Sequence, residues 1–283
     1  MTTKTLNFMN GEVEIDLYEV EEDFARIYLN ELYAYGLKLQ KIFNFFDQNS
    51  ELSKLNKRRE MEVSEDLSYL IKKALRYCEM TGGKYDISLG KQIIQRKEDK
   101  ETEKVECSYK NILVEGKKVT LNHPDVIIDL GSIAKGYIAD KMIEHIKRLG
   151  IKDAYIDARG DMRIFGEKEE IVTVQHPRDA TKTMFRIKFK DGAIATSGDY
   201  KQNYGGYEKS HIVGNSQFAS VTVFADNLTE ADASATCIFL LSMEDTEKFA
   251  KENKIKALCI GKDLKTHFFN NFEDIMVRGE DGE

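Results

Sequence analysis

The chain has 283 residues, of which 41% are hydrophobic, and its formal net charge is −7. A chain of this length and apolar content can bury a substantial core and forms one large domain or two closely joined lobes. Because acidic and basic residues are interspersed, with no basic stripe, the charge pattern argues against nucleic acid as a partner.

The scarcity of proline and the lack of a Gly/Ser-rich linker argue against flexibly tethered domains. The four cysteines lie far apart without metal-binding spacing, so we expect reduced, buried thiols at Cys78, Cys107, Cys237 and Cys259. The longest apolar run, Cys237–Leu241, is much shorter than the roughly 20 residues that cross a membrane, and the N-terminal sequence has no signal-peptide core. We therefore expect a cytoplasmic protein without a membrane span, with export from a trimmed precursor as the alternative.

The apolar spacing in the first half of the chain predicts two hairpins and three helical segments. They are an extended pair over residues 5–18 that turns at Asn10-Gly11, a long helix over residues 21–47, a short helical piece within Phe46–Asn56, a helix from Ser64 to Thr81, and a hairpin of Ile112–Val114 with Val119–Leu121. Ser64 is a typical N-cap, and Gly82-Gly83 closes that helix. Residues 96–106 are dense in charge and predict a solvated surface segment.

The second half predicts short strands and two helices near the end. The strands are Ala154–Asp157, Ile171–Val174, Phe185–Phe189, Ala193–Thr196, Ser220–Ala225, Ile255–Ile260 and His267–Phe269, and the helices are Leu228–Leu241 and Glu244–Asn253. Thr196–Asp199 predicts a turn after a strand. Because strands and helices do not alternate strictly, their order predicts an α+β fold.

The stretch Asp129–Asp140, DLGSIAKGYIAD, is the first candidate for a functional element. Val126–Ile128 has the character of a buried strand end, Gly131 permits a tight turn, and Ser132 is a good helix N-cap. Free backbone N–H groups and the positive end of the helix dipole favour a bound phosphate there, and Lys135 in the first turn would face it. The alternative is an ordinary strand-to-helix junction with Lys135 in solvent.

Asp232 and Thr236 are four residues apart on a predicted helix, so their side-chain oxygens share one face. A carboxylate and a hydroxyl are hard oxygen ligands, and Mg²⁺ commonly takes one or two protein ligands together with waters and substrate phosphates. The alternative is structural: Asp232 complements the helix N-terminus, and Thr236 bonds to a carbonyl of its own helix.

His211 is the one histidine in a segment rich in tyrosine and serine, where a general base or a phosphate contact competes with a structural role. Met9 and Phe46 flank polar turns. Either side chain suits a flat aromatic ligand, and either also suits the hydrophobic core.

Taken in order, several segments resemble the ApbE family of FAD:protein FMN transferases. The matching segments are Met9–Gly11, Ser50–Asn56, Gly82–Asp86, Asp129–Asp140, Arg159–Gly166, Ala195–Tyr200, Ser210–Ile212 and Ser220–Thr236. Arg159 stands where the family's Gly-Gly-Asp pattern has its first glycine. The resemblance implies a single α+β domain over residues 1–283, related to the T-fold, with two closely packed lobes around an FAD cleft.

The resemblance also implies the site residues. Asp232, Thr236 and the backbone carbonyl at Ala134 would bind Mg²⁺, and Lys135 with the surrounding amides would contact the FAD pyrophosphate. Met9 and Phe46 would flank the isoalloxazine ring. The remaining residues implied to line the FAD cleft are Asn56, Asp86, Gly131, Ser132, Asp161, Ser197 and His211.

The implied reaction transfers FMN from FAD to a Ser or Thr hydroxyl of a flavin-acceptor protein and releases AMP, with His211 and Lys135 as catalytic residues. One departure from the family pattern affects the expected activity. After His211 and Ile212 the chain reads Val213-Gly214-Asn215, where relatives usually carry Ile-Asp-Pro, so a carboxylate and a rigid turn are missing. The alternatives are therefore an FAD pyrophosphatase that yields FMN and AMP, or a non-catalytic FAD-binding protein.

Overall fold

The structure is a computed structural model, and it describes residues 1–9, 11–98, 100, 105–200, 214 and 216–277. Its strands are β1 (Thr2–Phe8), β2 (Gly11–Leu17), β3 (Glu60–Glu62), β4 (Ile112–Glu115), β5 (Lys118–Leu121), β6 (Ala154–Asp157), β7 (Met162–Phe165), β8 (Glu170–His176), β9 (Asp179–Phe189), β10 (Gly192–Gly198), β11 (Phe218–Ala225), β12 (Lys256–Gly261) and β13 (Thr266–Phe269). Eight of them form one antiparallel sheet in the order β1-β2-β6-β7-β10-β11-β12-β13. Strands β3, β5 and β4 form a small sheet, and β8 pairs with β9.

The helices lie mainly against the large sheet. They are α1 (Glu22–Phe43), α2 (Glu51–Arg58), α3 (Glu65–Met80), α4 (Gly90–Lys97), α5 (Ala134–Arg148), α6 (Leu228–Leu240) and α7 (Met243–Glu252). The hydroxyl of Ser50 caps α2 and the hydroxyl of Ser64 caps α3, each accepting a backbone N–H three residues on. Within the described ranges, no helix combines the length and apolar character needed to cross a membrane.

Helix α6 is buried along almost its whole length because it packs on β10 and β11 on one side and on α5 on the other. The contact with α5 depends on Gly136, where a Cβ atom would lie 2.3 Å from the carbonyl oxygen of Leu228. This close approach brings the first turn of α5 beside the side chains of α6. A separate, smaller apolar cluster that includes Val172, Ile187 and Phe272 fills the space beneath the β8–β9 hairpin.

The predicted α+β class is confirmed, and most of the predicted hairpins, strands and helices are present with small shifts at their ends, although β9 begins at Asp179 rather than at the predicted Phe185. All four cysteines are buried and unpaired, as predicted. The sequence did not indicate α4, β3 or β7. The predicted turn at Thr196–Asp199 is wrong for its first three residues, because β10 continues to Gly198, which pairs with Ser220. Much of the charged segment 96–106 lies outside the described residues, and the two-lobe arrangement stays a prediction.

The predicted strand at Val126–Ile128 is also wrong. Its backbone groups divide between side chains and one neighbouring backbone segment. The Asn56 amide donates to the carbonyl oxygen of Ile128 at 2.9 Å and accepts from its N–H at 2.8 Å. The N–H of Ile127 donates to the carbonyl of Ser88 at 3.1 Å, and its carbonyl accepts the N–H of Gly90 at 2.9 Å. The guanidinium of Arg59 donates to the carbonyl of Val126. Only one bridge remains, between Ile127 and Leu89.

The start of α5 differs from the prediction as well. The N-cap residue is Ile133, without a side-chain hydrogen bond, whereas the Ser132 hydroxyl lies 2.8 Å from the hydroxyl of Tyr85. Gly131 does not adopt a left-handed conformation. Its N–H donates to Oδ1 of Asp129 at 3.0 Å, so the turn is held by an aspartate side chain.

Candidate active site

A cleft of about 450 Å³ opens between α1, the start of α5 and the end of β10. Its volume is in the range typical of small-molecule sites. The predicted site residues that line it are Met9, Phe46, Asp86, Gly131, Ser132, Ala134, Lys135, Asp161, Ser197, Asp232 and Thr236. Residues far apart in the sequence therefore meet on one concave surface.

Three charged groups form one end of this cleft. The ammonium of Lys135 is hydrogen-bonded to Oδ2 of Asp161 and lies 3.6 Å from Oδ1 of Asp232. The two carboxylate side chains are only 5% and 7% exposed, whereas Lys135 is 30% exposed. One partly accessible cation therefore compensates two buried anions.

The pKa values at this end follow from burial and from mutual attraction. Burial of the Lys135 ammonium lowers its pKa, but the carboxylates of Asp161 and Asp232 together outweigh that effect, so the pKa lies above its usual value. Burial raises the pKa of Asp232 to about 6 against the opposing pull of Lys135. Lys135 is therefore charged at neutral pH, and the carboxylate of Asp232 is a costly buried anion that a further cation would stabilise.

Uncharged oxygen atoms lie next to these carboxylates. The hydroxyls of Ser197 and Thr236 are 3.1 Å apart, and the N–H of Gly136 donates to Oδ2 of Asp232 at 3.2 Å. Among the described residues, no cluster of three His, Cys, Asp or Glu side chains forms a metal site. The hard oxygen donors nonetheless fit a Mg²⁺ ion that takes few protein ligands and completes its shell with water or phosphate oxygens.

Another part of the cleft lining, called here the aromatic end, is apolar and aromatic. Met9 is buried in a left-handed conformation (φ 55°), and its N–H donates to Oε1 of Gln40. The ring of Phe46 is 44% exposed and packs against Phe45, with the ring centroids 4.0 Å apart. Tyr85 lies beneath the cleft floor with its hydroxyl on Ser132. An aromatic ligand placed here would cover the exposed ring of Phe46.

Three predicted residues stand apart from this arrangement. Asn56 is not among the residues lining the cleft, because both ends of its amide are bonded to the backbone of Ile128. Asp86 lines the cleft, but its two oxygens accept backbone N–H groups of Ser88 and Tyr109 at 2.8 and 3.0 Å. His211 lies outside the described residues, as does most of its segment.

The backbone N–H groups near Lys135 are less free than the sequence suggested. Those of Gly131 and Gly136 donate to aspartate side chains, and that of Ala134 donates to the carbonyl of Leu130 at 2.8 Å. A bound phosphate would therefore depend more on side-chain cations than on these amides. The sequence reasoning also missed Gln40, Tyr85 and Arg159 as lining residues. Of these, Tyr85 and Arg159 lie inside segments that the resemblance had already marked.

The chain is similar in sequence to a known protein family and to individual members of it. A model of the ApbE family matches residues 9–259. The chain is 26% identical over 247 residues to the FAD:protein FMN transferase of Vibrio cholerae, covering 77% of this chain and 74% of that protein. The Escherichia coli FAD:protein FMN transferase is 23% identical over 274 residues, covering 84% of this chain and 78% of that protein.

Solved structures share the same architecture. The flavin transferase ApbE from Vibrio cholerae has a TM-score of 0.80 at 21% identity, over 97% of this chain and 98% of that one. An ApbE protein from Thermotoga maritima has a TM-score of 0.82 at 24% identity, over 98% of this chain and 100% of that one. The α+β fold is thus shared along nearly the whole chain.

Proposed function

The chain belongs to the ApbE family, and from this premise we propose that it transfers FMN from FAD to a Ser or Thr hydroxyl of an acceptor protein, forming a phosphoester and releasing AMP. Its relatives in Vibrio cholerae and Escherichia coli are FAD:protein FMN transferases, so the enzyme class is that of a transferase. One observation carries the proposal for this chain. The cleft joins an aromatic end at Phe46 to a charged end where Lys135 contacts two buried carboxylates.

The transfer is a displacement at phosphorus. The acceptor oxygen forms a bond to the phosphorus of the FMN half, the anhydride bond to the adenylate breaks, and AMP departs with the electron pair of that bond. The proton of the acceptor hydroxyl passes to a base, for which His211 is the candidate. Lys135 would stabilise the negative charge that develops on the phosphate oxygens, because it is cationic and partly accessible in the cleft.

We assign a Mg²⁺ site to Asp232, Thr236 and the backbone carbonyl of Ala134. All three residues line the same cleft, and Asp232 is a buried carboxylate whose pKa is raised by burial to about 6 against the opposing pull of Lys135. When bound, the ion would supply positive charge against the pyrophosphate. Lys135 then holds Asp161 and Asp232 in place from the other side.

Met9 and Phe46 are assigned to the flavin ring. Met9 is fixed by its hydrogen bond to Gln40, and Phe46 presents an accessible aromatic face at the same end of the cleft. A polarizable thioether and an aromatic ring both pack well on a flat heterocycle.

The altered segment after His211 favours one second candidate, an FAD pyrophosphatase. With the carboxylate and proline of the family pattern replaced by Gly214 and Asn215, water would take the place of the acceptor hydroxyl. The same bonds would form and break at phosphorus, and the products would be free FMN and AMP.

The test uses FAD, Mg²⁺ and a library of peptides with Ser or Thr at the centre, beside a matched library with Ala there. AMP is measured by chromatography, and flavin fluorescence is measured on the denatured peptides. We expect AMP and labelled peptide only with the Ser/Thr library. Asp232→Ala should lower AMP formation by about 100-fold, since several kcal/mol of charge stabilisation is lost. Asp274→Ala, which removes an exposed carboxylate paired with Lys256, should not.

The outcomes separate the candidates. Free FMN and AMP with both libraries would identify the pyrophosphatase. Bound but intact FAD with both libraries would identify a binding protein without catalysis. Turnover unchanged by Asp232→Ala would remove Asp232 from the metal site.

A further inference from the structure

Arg159 holds an unusual backbone conformation beside the cleft. It lies in the connection between β6 and β7 with φ at 67°, in the left-handed region that L-residues with long side chains rarely adopt. Glycine takes this conformation without cost, and the family pattern that this segment resembles has glycine at the position. The backbone of Arg159 therefore adopts a conformation that is unfavourable for a residue with a side chain.

The side chain of Arg159 extends across the turn between β1 and β2. A Cβ atom at Gly11 would lie 2.7 Å from its Nε, so the absence of a side chain at Gly11 makes room for the guanidinium. Nη1 donates to the carbonyl oxygen of Met9 at 3.4 Å, which is a long and weak hydrogen bond. Arg159 is exposed and lines the cleft, so its guanidinium can turn to a ligand at little cost.

The net charge of the residues lining the cleft indicates a role for the guanidinium of Arg159. The described charged residues that line it are Asp86, Asp129, Lys135, Arg159, Asp161 and Asp232. Four acids against two bases leave the lining net negative, and a dinucleotide would add the negative charges of its diphosphate. Lys135 is already engaged by Asp161 and Asp232. Arg159 is thus the one described cation of the lining without a carboxylate partner among the described residues.

The two cations also act on a common region. Lys135 and Arg159 line the same cleft, and Arg159 lies only two residues from Asp161, to which the ammonium of Lys135 is hydrogen-bonded. A ligand phosphate near Lys135 therefore lies within the electrostatic reach of Arg159. Guanidinium groups bind phosphate oxygens through two parallel N–H donors, a geometry that lysine does not offer.

We propose that Arg159 is a substrate-binding residue that contacts the diphosphate of the dinucleotide and supplies the second cation that the net-negative cleft needs for it. The proposal rests on the proposed function, since it takes FAD as the ligand. It assigns to this chain a phosphate contact that the glycine of the family pattern has no side chain to make.

The test compares three ligands in Mg²⁺ buffer by calorimetric titration: FAD, ADP as a diphosphate without flavin, and riboflavin as a flavin without phosphate. Arg159→Gly removes the guanidinium and relieves the left-handed conformation, so it should not lower the melting temperature. We expect its Kd to rise about tenfold for FAD and for ADP and less than about twofold for riboflavin. Arg159→Lys should fall between the wild type and Arg159→Gly, and Arg26→Ala, which removes an exposed arginine paired with Glu22, should change nothing.

Each other outcome contradicts a defined part of the proposal. Equal losses for FAD and riboflavin would place Arg159 on the flavin ring and overturn the diphosphate contact. FAD and ADP affinities unchanged by Arg159→Gly would overturn this inference alone and leave the proposed function standing. A wild-type protein that binds no FAD would overturn both.

Discussion

Lys135 and Asp232 lie opposite each other where α5 meets α6, with the ammonium nitrogen 3.6 Å from Oδ1 of the carboxylate. The same ammonium is hydrogen-bonded to Asp161, which follows β6. One side chain therefore ties together two helices and a strand connection at the charged end of the cleft. Lys135 therefore contributes both to the stability of the protein and to the proposed chemistry.

Replacing Lys135 by methionine should destabilise the metal-free protein by about 3 kcal/mol, because two buried carboxylates lose their only close cation in the described structure. Urea unfolding in the presence of a chelator measures the change. Lys38→Met, which removes an exposed lysine on α1, serves as the control and should leave stability within about 0.5 kcal/mol of the wild type.

If Mg²⁺ binds beside Asp232, it can replace part of the lost charge. Added Mg²⁺ should therefore raise the melting temperature of Lys135→Met by more than that of the wild type. A variant as stable as the wild type, or one that gains nothing from Mg²⁺, would contradict the arrangement described for this end of the cleft.

The contact between α5 and α6 makes a second prediction. Gly136→Ala would place a methyl group 2.3 Å from the backbone oxygen of Leu228, so the helices must separate, at a cost of about 3 kcal/mol. Gly36→Ala is the matched control on α1, since its Cβ would meet a side chain, the ring of Phe8 at 2.8 Å, rather than backbone atoms. Urea unfolding should show the larger loss for Gly136→Ala, and equal losses would show that backbone contact is not decisive.

The sequence predicted those parts of the fold that depend on local pattern. The amphipathic spacing of α1, the Ser64 cap and the alternation along β11 each identify an element without knowledge of its neighbours. The strand predicted at Val126–Ile128 was wrong because Val126 and Ile128 bond to side chains from α2 and its end, and only Ile127 forms a bridge, which no local pattern reveals.

Part of the candidate site could likewise be predicted from local sequence, and part depends on the folded chain. Asp232 and Thr236 could be paired from their helical spacing, since both lie on one helix. The contact of Lys135 with Asp161 joins residues from separate elements and becomes visible only in the folded chain. The left-handed conformation of Arg159 likewise depends on tertiary structure, because the sequence alone shows an arginine and not its φ angle.

A third prediction concerns pH and Asp140. Its carboxylate accepts the backbone N–H groups of Leu228 and Thr229 at 2.9 and 2.7 Å and so caps α6. Burial raises its pKa, and these hydrogen bonds only partly oppose that. The folded protein therefore keeps this proton to a higher pH than the unfolded chain, and stability falls as pH rises from about 4 through the raised pKa. Asp140→Asn should show a smaller fall in urea unfolding across that range.

Asp179 provides a control of opposite sign. The hydroxyl and N–H of Thr181 and the ammonium of Lys182 lower the pKa of Asp179 to about 2. Its stabilising contribution is therefore present above about pH 4 and is lost as pH falls toward 2. If Asp140→Asn and Asp179→Asn altered the pH profile in the same direction, the assignment of Asp140 as a buried cap with a raised pKa would be wrong.

The last prediction tests the aromatic end of the cleft. Phe46→Ala should raise the Kd of riboflavin and of FAD by a similar factor, about fivefold to tenfold, because the lost ring contact is common to both ligands. Quenching of flavin fluorescence measures both constants, and the chain has no tryptophan to interfere. Phe24→Ala is the control, since Phe24 is 52% exposed on α1 and does not line the cleft. Riboflavin affinity unchanged by Phe46→Ala would move the flavin ring away from Phe46, whereas a loss confined to FAD would place Phe46 against the adenylate half of the substrate.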